Sequence, residues 1–275
     1  TSLRKRYGLD EPMYVRYFRW IKNIVLKGNF GYSLAYRRPV GELIWERLLW
    51  TLIISLGSII IIWLIAFPVG VYSATHQYSV LDYVFTFFGF VGRGVPNFMI
   101  ALILMWLGFA WLGWDIGGLF SQELRDAPWG VKKFVDLLKH IWVPLVVLSM
   151  SGTAGLMRTL RAKVLDELHK PYVIRARARG LSERKVIWKY PVRVALIPFI
   201  SSVGQTLPRL ISGATIISVV LSLPTTGPLM LRALLSQDMY LAGSFLLLLS
   251  TLTITGTFVS DILLAWVDPR IRMGK

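Results

Sequence analysis

The chain has 275 residues, 55% of them hydrophobic, and a formal net charge of +16. The apolar residues fall in runs long enough to cross a bilayer, which takes about 20 residues of helix, so length alone does not argue for two soluble domains. The absence of cysteine excludes disulfides, thiolate catalysis and Cys-ligated metals, and a basic balance sorted into loops points to a membrane protein, not a nucleic-acid partner.

Residues 1–45 mix Arg4, Lys5, Arg6, Asp10 and Glu11 with Tyr14, Tyr17, Phe18 and Trp20. This reads as an amphipathic segment lying at a membrane surface, with short helices and a turn at Lys27-Gly28-Asn29. Thr1 to Asp10 hold no apolar core and so no cleavable signal peptide. The first spanning run is Leu48 to Tyr72, with a kink expected near Pro68. The second covers Val84 to Gly113 and is interrupted by Arg93, Pro96 and Asn97, which predicts two pieces with the clean part at Phe98 to Leu112. The third, Ile141 to Met157, is short and opened by Pro144. The fourth, Val194 to Leu221, carries Pro198, Pro208 and Arg209; the last is Leu241 to Val267.

Between the third and fourth runs lies a basic stretch, Arg158 to Arg193, opposed only by Asp166, Glu167 and Glu183. Lys and Arg collect in cytoplasmic loops. This block therefore faces inward, with Thr75–Asp82 and the C-terminus, while residues 1–45, 114–139 and 222–240 face outward. An outward N-terminal segment is accounted for by one further span preceding Thr1, which is expected here. The expected fold is an all-α polytopic helical bundle: five spans in this chain plus that one. Its parts are an extracytoplasmic segment at 1–45 and a transmembrane domain at 46–275.

Within the basic stretch, Tyr172-Val173-Ile174-Arg175-Ala176-Arg177-Ala178-Arg179-Gly180-Leu181-Ser182 has the order of a helix, a turn and a helix. Ala176 and Ala178 are small enough for close approach of another surface, Gly180 tolerates the positive φ of a sharp turn, and Ser182 is a natural N-cap. The competing reading is an ordinary positive-inside connector, and spacing alone does not separate the two. No phosphate-cradling Gly-x-x-x-x-Gly-Lys-Ser/Thr occurs. The three histidines, His76, His140 and His169, fall in three separate connecting regions, which disfavours a membrane enzyme. Ser151-Gly152-Thr153 reads as small residues for close helix packing. A channel or secondary transporter would often hold paired charges at mid-membrane. Only Arg93, Arg209 and Asp261 stand in or near spans, the first and last near ends. Arg209 either pairs inside the bundle or lines a pathway together with Asn97.

The same stretch resembles the cytoplasmic "EAA" loop of binding-protein-dependent ABC importer permeases, in the form found in the first permease of the dipeptide, oligopeptide and nickel group. The resemblance runs through Gly8-Leu9-Asp10-Glu11-Pro12, Val15-Arg16-Tyr17, Trp20, Gly28-Asn29-Phe30-Gly31-Tyr32-Ser33, Arg38-Pro39-Val40, Thr51-Leu52 and Pro96-Asn97-Phe98. It continues through Leu223-Pro224-Thr225-Thr226-Gly227-Pro228-Leu229, Ala233, Asp238, Asp261 and Asp268-Pro269-Arg270. Three features depart from the pattern: Ile174 holds the name-giving Glu position, Val192-Arg193 replaces a Leu-Pro, and residues 119–139 are longer and more basic.

The resemblance implies a type I importer permease of the cytoplasmic membrane without a catalytic site of its own. It implies a second homologous permease, two ATPase subunits that bind ATP and Mg, an extracytoplasmic solute-binding protein, and no cofactor in this chain. The coupling loop, about 158–193, would engage the ATPase through Tyr172, Arg175, Ala176, Arg177, Ala178, Gly180, Leu181 and Ser182. Pro224, Gly227 and Asp238 would face the binding protein. Di- and oligopeptides are the implied cargo, with oligosaccharides or nickel as the alternative.

Overall fold

The computed structural model describes residues 11–114, 116–197, 199–200, 206, 211 and 214–267. The chain begins with α1 (Met13–Lys27), closed by Gly28 in the left-handed region, and a two-residue hairpin of β1 (Tyr32–Ser33) and β2 (Arg38–Pro39). The Trp20 indole N–H and the Ser244 hydroxyl both donate to the Phe30 carbonyl, at 3.0 and 3.3 Å, so one backbone oxygen ties α1 and the last helix to the hairpin.

Helix α2 (Val40–Thr75) has 36 residues and runs unbroken through Pro68. At 1.5 Å per residue it is about 54 Å long, against an apolar bilayer thickness of about 30 Å. It starts eight residues before the predicted run, because Leu43, Ile44 and Leu48 bury against Leu229, Leu241 and Ala242 at the hairpin end. The predicted second run is two helices, α3 (Val80–Gly94) and α4 (Asn97–Leu112), bent by 105° where Pro96 removes a donor.

Helix α5 (Val131–Leu168) has 38 residues, more than twice the predicted apolar run. Its ends are amphipathic and packed against protein, so hydropathy marks only its middle. The N-terminal end is held by its own charges. Lys133 donates to the carbonyls of Arg125 and Ala127 at 2.9 and 2.6 Å and lies over the rings of Phe120 and Trp129. Asp136 accepts from the amide and hydroxyl of Ser121 at 2.8 and 2.5 Å. His140, expected in a connection, is buried on this helix with Nδ1 2.7 Å from the Asp136 carbonyl.

Three short helices follow: α6 (Pro171–Ala178), α7 (Glu183–Lys189) and α8 (Pro191–Ala195). After them come α9 (Thr215–Val220), α10 (Thr226–Leu235) and α11 (Met239–Val267). Of the predicted fourth span, residues 198, 201–205, 207–210 and 212–213 lie outside the described residues, and its two ends fall in α8 and α9. Helices α2, α5 and α11 are each long and apolar enough to cross a membrane, and the bent pair α3–α4 makes a fourth crossing if counted as one.

The scaffold is α2 against α5, meshed by size. A Cβ on Gly57 would lie 2.8 Å from Leu145, one on Gly152 2.5 Å from Ile62, and one on Gly70 3.0 Å from Leu160. Glycine lets the facing side chain sit against bare backbone, the usual device where two helices pack without a hydrophobic drive between them. The numbers rise together, 57 with 145, 62 with 152 and 70 with 160, so the two helices run parallel. The bent pair must therefore carry the chain back between their opposite ends.

Candidate coupling site

The basic stretch folds into a compact helical hairpin. Pro171 opens α6 at a position where its missing N–H costs nothing, and Gly180 turns the chain at φ +78°. A Cβ on Gly180 would meet no atom within 4 Å, so the constraint there is conformation and not space. Val173, Ala176 and Val186 form a small core, with Leu181 and Tyr190 packed against it. Arg177 clamps the turn from outside, donating through Nη2 to Glu183 Oε1 at 2.6 Å and through Nε to Oε2 at 3.0 Å. That pairing holds the Glu183 carboxyl below the usual carboxylate range and raises the Arg177 guanidinium. Tyr172 donates to Glu167, which ties α6 back to the end of α5.

The hairpin is continuous with the spans. Val192, Ala195 and Phe199 bury with Val71 and Ala74 of α2 and with Leu160, Val164 and Leu168 of α5. Trp188 of α7 meets Phe67 at 5.7 Å between ring centres. The hairpin is thus joined to both long helices through side chains of α7 and α8.

The residues singled out from the sequence divide into two groups. Arg175, Ala178, Gly180 and Ser182 are exposed on the rim, joined by Ile174 and Trp188, both large apolar groups left open to a partner. Ala176 is a correction: at 4% exposure it packs inward against Val186 and offers nothing to a second surface. Ser182 stands at the N-cap as expected, and its carbonyl accepts from Val186 N–H at 3.0 Å; the correction is that its hydroxyl makes no capping hydrogen bond. Arg177 is exposed on the same rim, with its guanidinium paired to Glu183.

At the opposite end of the spans, the segment expected to be an open polar loop contains helix α10, and two of its three predicted contact residues are structural. Asp238 is 5% exposed. It accepts from the Ser33 hydroxyl at 2.5 Å, Ala35 N–H at 3.3 Å and Leu241 N–H at 3.2 Å, stapling the hairpin to the start of α11. Gly227 is buried because a Cβ there would stand 2.8 Å from the Thr215 backbone. Pro224 remains half-exposed. Asn97 is half-buried at the first turn of α4, just after the bend, and Arg209 lies outside the described residues.

Nothing in the local sequence marks the pair Asp82–Arg161. Asp82 is buried at the start of α3, where its carboxylate accepts from Arg161 of α5 at 2.9 Å and from Tyr78 N–H at 3.1 Å. Arg161 was one more cation in a basic block; only its register on α5, facing a capped helix start, distinguishes it.

A long parallel helix pair, a broken return span and a two-helix surface hairpin rooted in both long helices is the arrangement against which relatives are to be compared. Residues 66–273 match the family described as the binding-protein-dependent transport system inner membrane component. The chain belongs to that family. This permease is 36% identical to an oligopeptide transport system permease protein of Bacillus subtilis, over 97% of this chain and 83% of the relative. It is 31% identical to an oligopeptide transport system permease protein of Haemophilus influenzae, covering 99% of this chain and 85% of that one. It is 30% identical to a dipeptide transport system permease protein of Lactococcus lactis, covering 98% and 84%. As a member of the family it is a multi-pass inner-membrane subunit of an ABC importer, a class that works with ATPase and binding-protein partners.

Proposed function

We propose that this permease carries di- and oligopeptides inward, with α6–α7 as the element that receives the ATPase stroke. The observation that carries the reading is the rigid seating of that hairpin: a closed core of its own, a glycine turn at φ +78°, and a shared core with α2 and α5. A lever must be stiff within itself and joined to what it moves, and switching between packed arrangements is how small contacts are amplified. The exposed Ile174, Arg175, Ala178 and Trp188 form the seat for an ATPase groove. ATP and Mg bind on the two ATPase subunits, the second permease completes the pathway, and the chain contributes no covalent chemistry.

The basic end, with α6–α7, faces the cytoplasm by the distribution of Lys and Arg. The hairpin end faces outward, and residues 1–45 lie on that side. Peptide as cargo is supported by the relatives, which are oligopeptide and dipeptide transport permeases. The test is reconstitution of the chain with a second permease, two ATPases and a peptide-binding protein in sealed vesicles. ATP-dependent accumulation of a labelled dipeptide or tetrapeptide is expected. Accumulation of an oligosaccharide or nickel in place of peptide would overturn the cargo, and uptake by the chain without ATPases would overturn the mechanism.

A further inference from the structure

An open cavity of about 660 Å³ lies between α1, the β-hairpin and the first turn of α2. It is independent of the coupling hairpin and of the orientation argued above. Among the described residues, three cations line it, Arg16, Arg19 and Lys27, against one carboxylate, Glu42. Two of these four charges are already spent. Arg19 pairs with Glu11 at 2.8 Å, and Glu42 accepts from Arg38 at 3.3 Å. Arg16 and Lys27 have no ion pair among the described residues, and Arg16 Nε is buried without a hydrogen-bond partner. Among the described residues, the cavity therefore holds two positive charges without an ion-pair partner, one of them with a buried donor that has no hydrogen bond.

Its depth in the bilayer follows from α2. Glu42 is on the cavity wall, and Trp45, three residues on, is the first of a file of exposed apolar side chains that continues through Leu49, Ile53 and Leu56. Three residues of helix rise about 4.5 Å. The polar layer on each side of the apolar core is about 5–8 Å thick, so the cavity opens at headgroup level. Helix α1 agrees: its Arg16, Asn23 and Lys27 side turns to the cavity, while Tyr14, Phe18 and Val25 on the other side are exposed, as in a helix lying in the interface. Trp20 and Tyr240 complete the walls, and such rings favour that depth.

We propose that this cavity holds the phosphate of an anionic phospholipid from the leaflet it faces, with Arg16 and Lys27 as its cations. The lipid would fix α1 and the hairpin to the end of α2 through the headgroup.

The experiment uses the intact chain in complex with its partner subunits, extracted from nanodiscs of phosphatidylcholine with or without phosphatidylglycerol, and native mass spectrometry. One phosphatidylglycerol is expected to stay with the chain. Retention is expected to fall roughly 30-fold in the double variant Arg16→Gln/Lys27→Gln, at about a factor of five per cation, and to be unchanged in Arg232→Gln, which lies outside the cavity. Circular dichroism melting checks that the variants are folded. Equal retention by wild type and double variant, or equal retention of phosphatidylcholine, overturns the proposal. So does displacement of the lipid by millimolar inorganic phosphate, which would make this a bare anion site. Unchanged lipid retention with loss of ATPase stimulation by the binding protein also overturns it, and would make the cavity a protein-docking surface.

Discussion

Gly180 separates conformation from space. Its φ is +78° and nothing lies within 4 Å of a built Cβ, so a side chain is penalised only for its backbone preference. A β-branched residue there stores about 1–3 kcal/mol of strain, whereas Asn visits the left-handed region readily. Gly180→Val is therefore expected to insert normally but lose ATPase subunits on co-purification, or to hydrolyse ATP without uptake. Gly180→Asn should retain both functions, and equal behaviour of the two would show that the turn geometry is irrelevant. Ala176 fails by the opposite route. It is buried against Val173 and Val186, so Ala176→Trp overpacks the hairpin's own core, at about 1–3 kcal/mol. Faster hydrogen exchange across 171–189 is the expected signature, and unchanged exchange there would contradict the packing described. Gly180 was legible in the sequence because a lone glycine between two helical stretches has few other uses. The burial of Ala176 was not, since an alanine reads equally well as core or as contact.

Elements are joined here by charges whose partners are distant in sequence. Asp82 on α3 and Arg161 on α5 meet at the end of the spans near α6–α7. Removing one partner of such a pair strands the other, at about 1–3 kcal/mol for a hydrogen bond to a charged group. Asp82→Leu alone should lower the thermal midpoint in detergent, and Asp82→Leu/Arg161→Leu should recover part of the loss. A double variant worse than the sum of its parts would rule out the coupling. The Arg177–Glu183 clamp makes a pH prediction of definite sign. The Glu183 carboxyl is held below its ordinary value, chiefly by the hydrogen bond from Arg177, so its contribution is complete above about pH 4.3 and fades as pH falls through the lowered value. Both side chains are substantially exposed, which limits the effect to under about 1 kcal/mol. Melting of the wild type and of Glu183→Gln should differ slightly at neutral pH and converge once pH has fallen below the lowered Glu183 value. The break at Pro96 was readable because proline and a polar residue interrupt a spanning run. Asp238 was misread for the same reason: a polar segment rich in Pro and Gly looks like an open loop, and nothing local reveals that the carboxylate accepts from a hydroxyl and an amide about 200 residues away.

At the scale of the whole molecule, hydropathy located the spans but not their lengths, because the ends of α2 and α5 mix charged residues with side chains buried against the rest of the protein. It also left α11 unexplained within one chain: only 6% of its most apolar stretch is buried, and Ile254 and Phe258 stand exposed, so much of its surface awaits lipid or another subunit. What the chain alone does fix is relative direction. The three glycine contacts make α2 and α5 parallel, so Thr75 and Leu168 share one side and Val40 and Val131 the other, and the segment 80–112 must cross. The proposed absolute direction, basic end inward, rests on the distribution of Lys and Arg. The chain has no cysteine, so single cysteines can be read without background. Gln77 and Gln122 are both exposed and lie in the connections at the two ends of that return. In right-side-out vesicles, a cysteine at Gln122 should react with an impermeant maleimide, and one at Gln77 should react only after the membrane is opened. The reverse pattern would invert the molecule, and reaction of both from outside would mean that the bent pair α3–α4 enters and returns on one side, which the parallel packing of α2 and α5 does not allow.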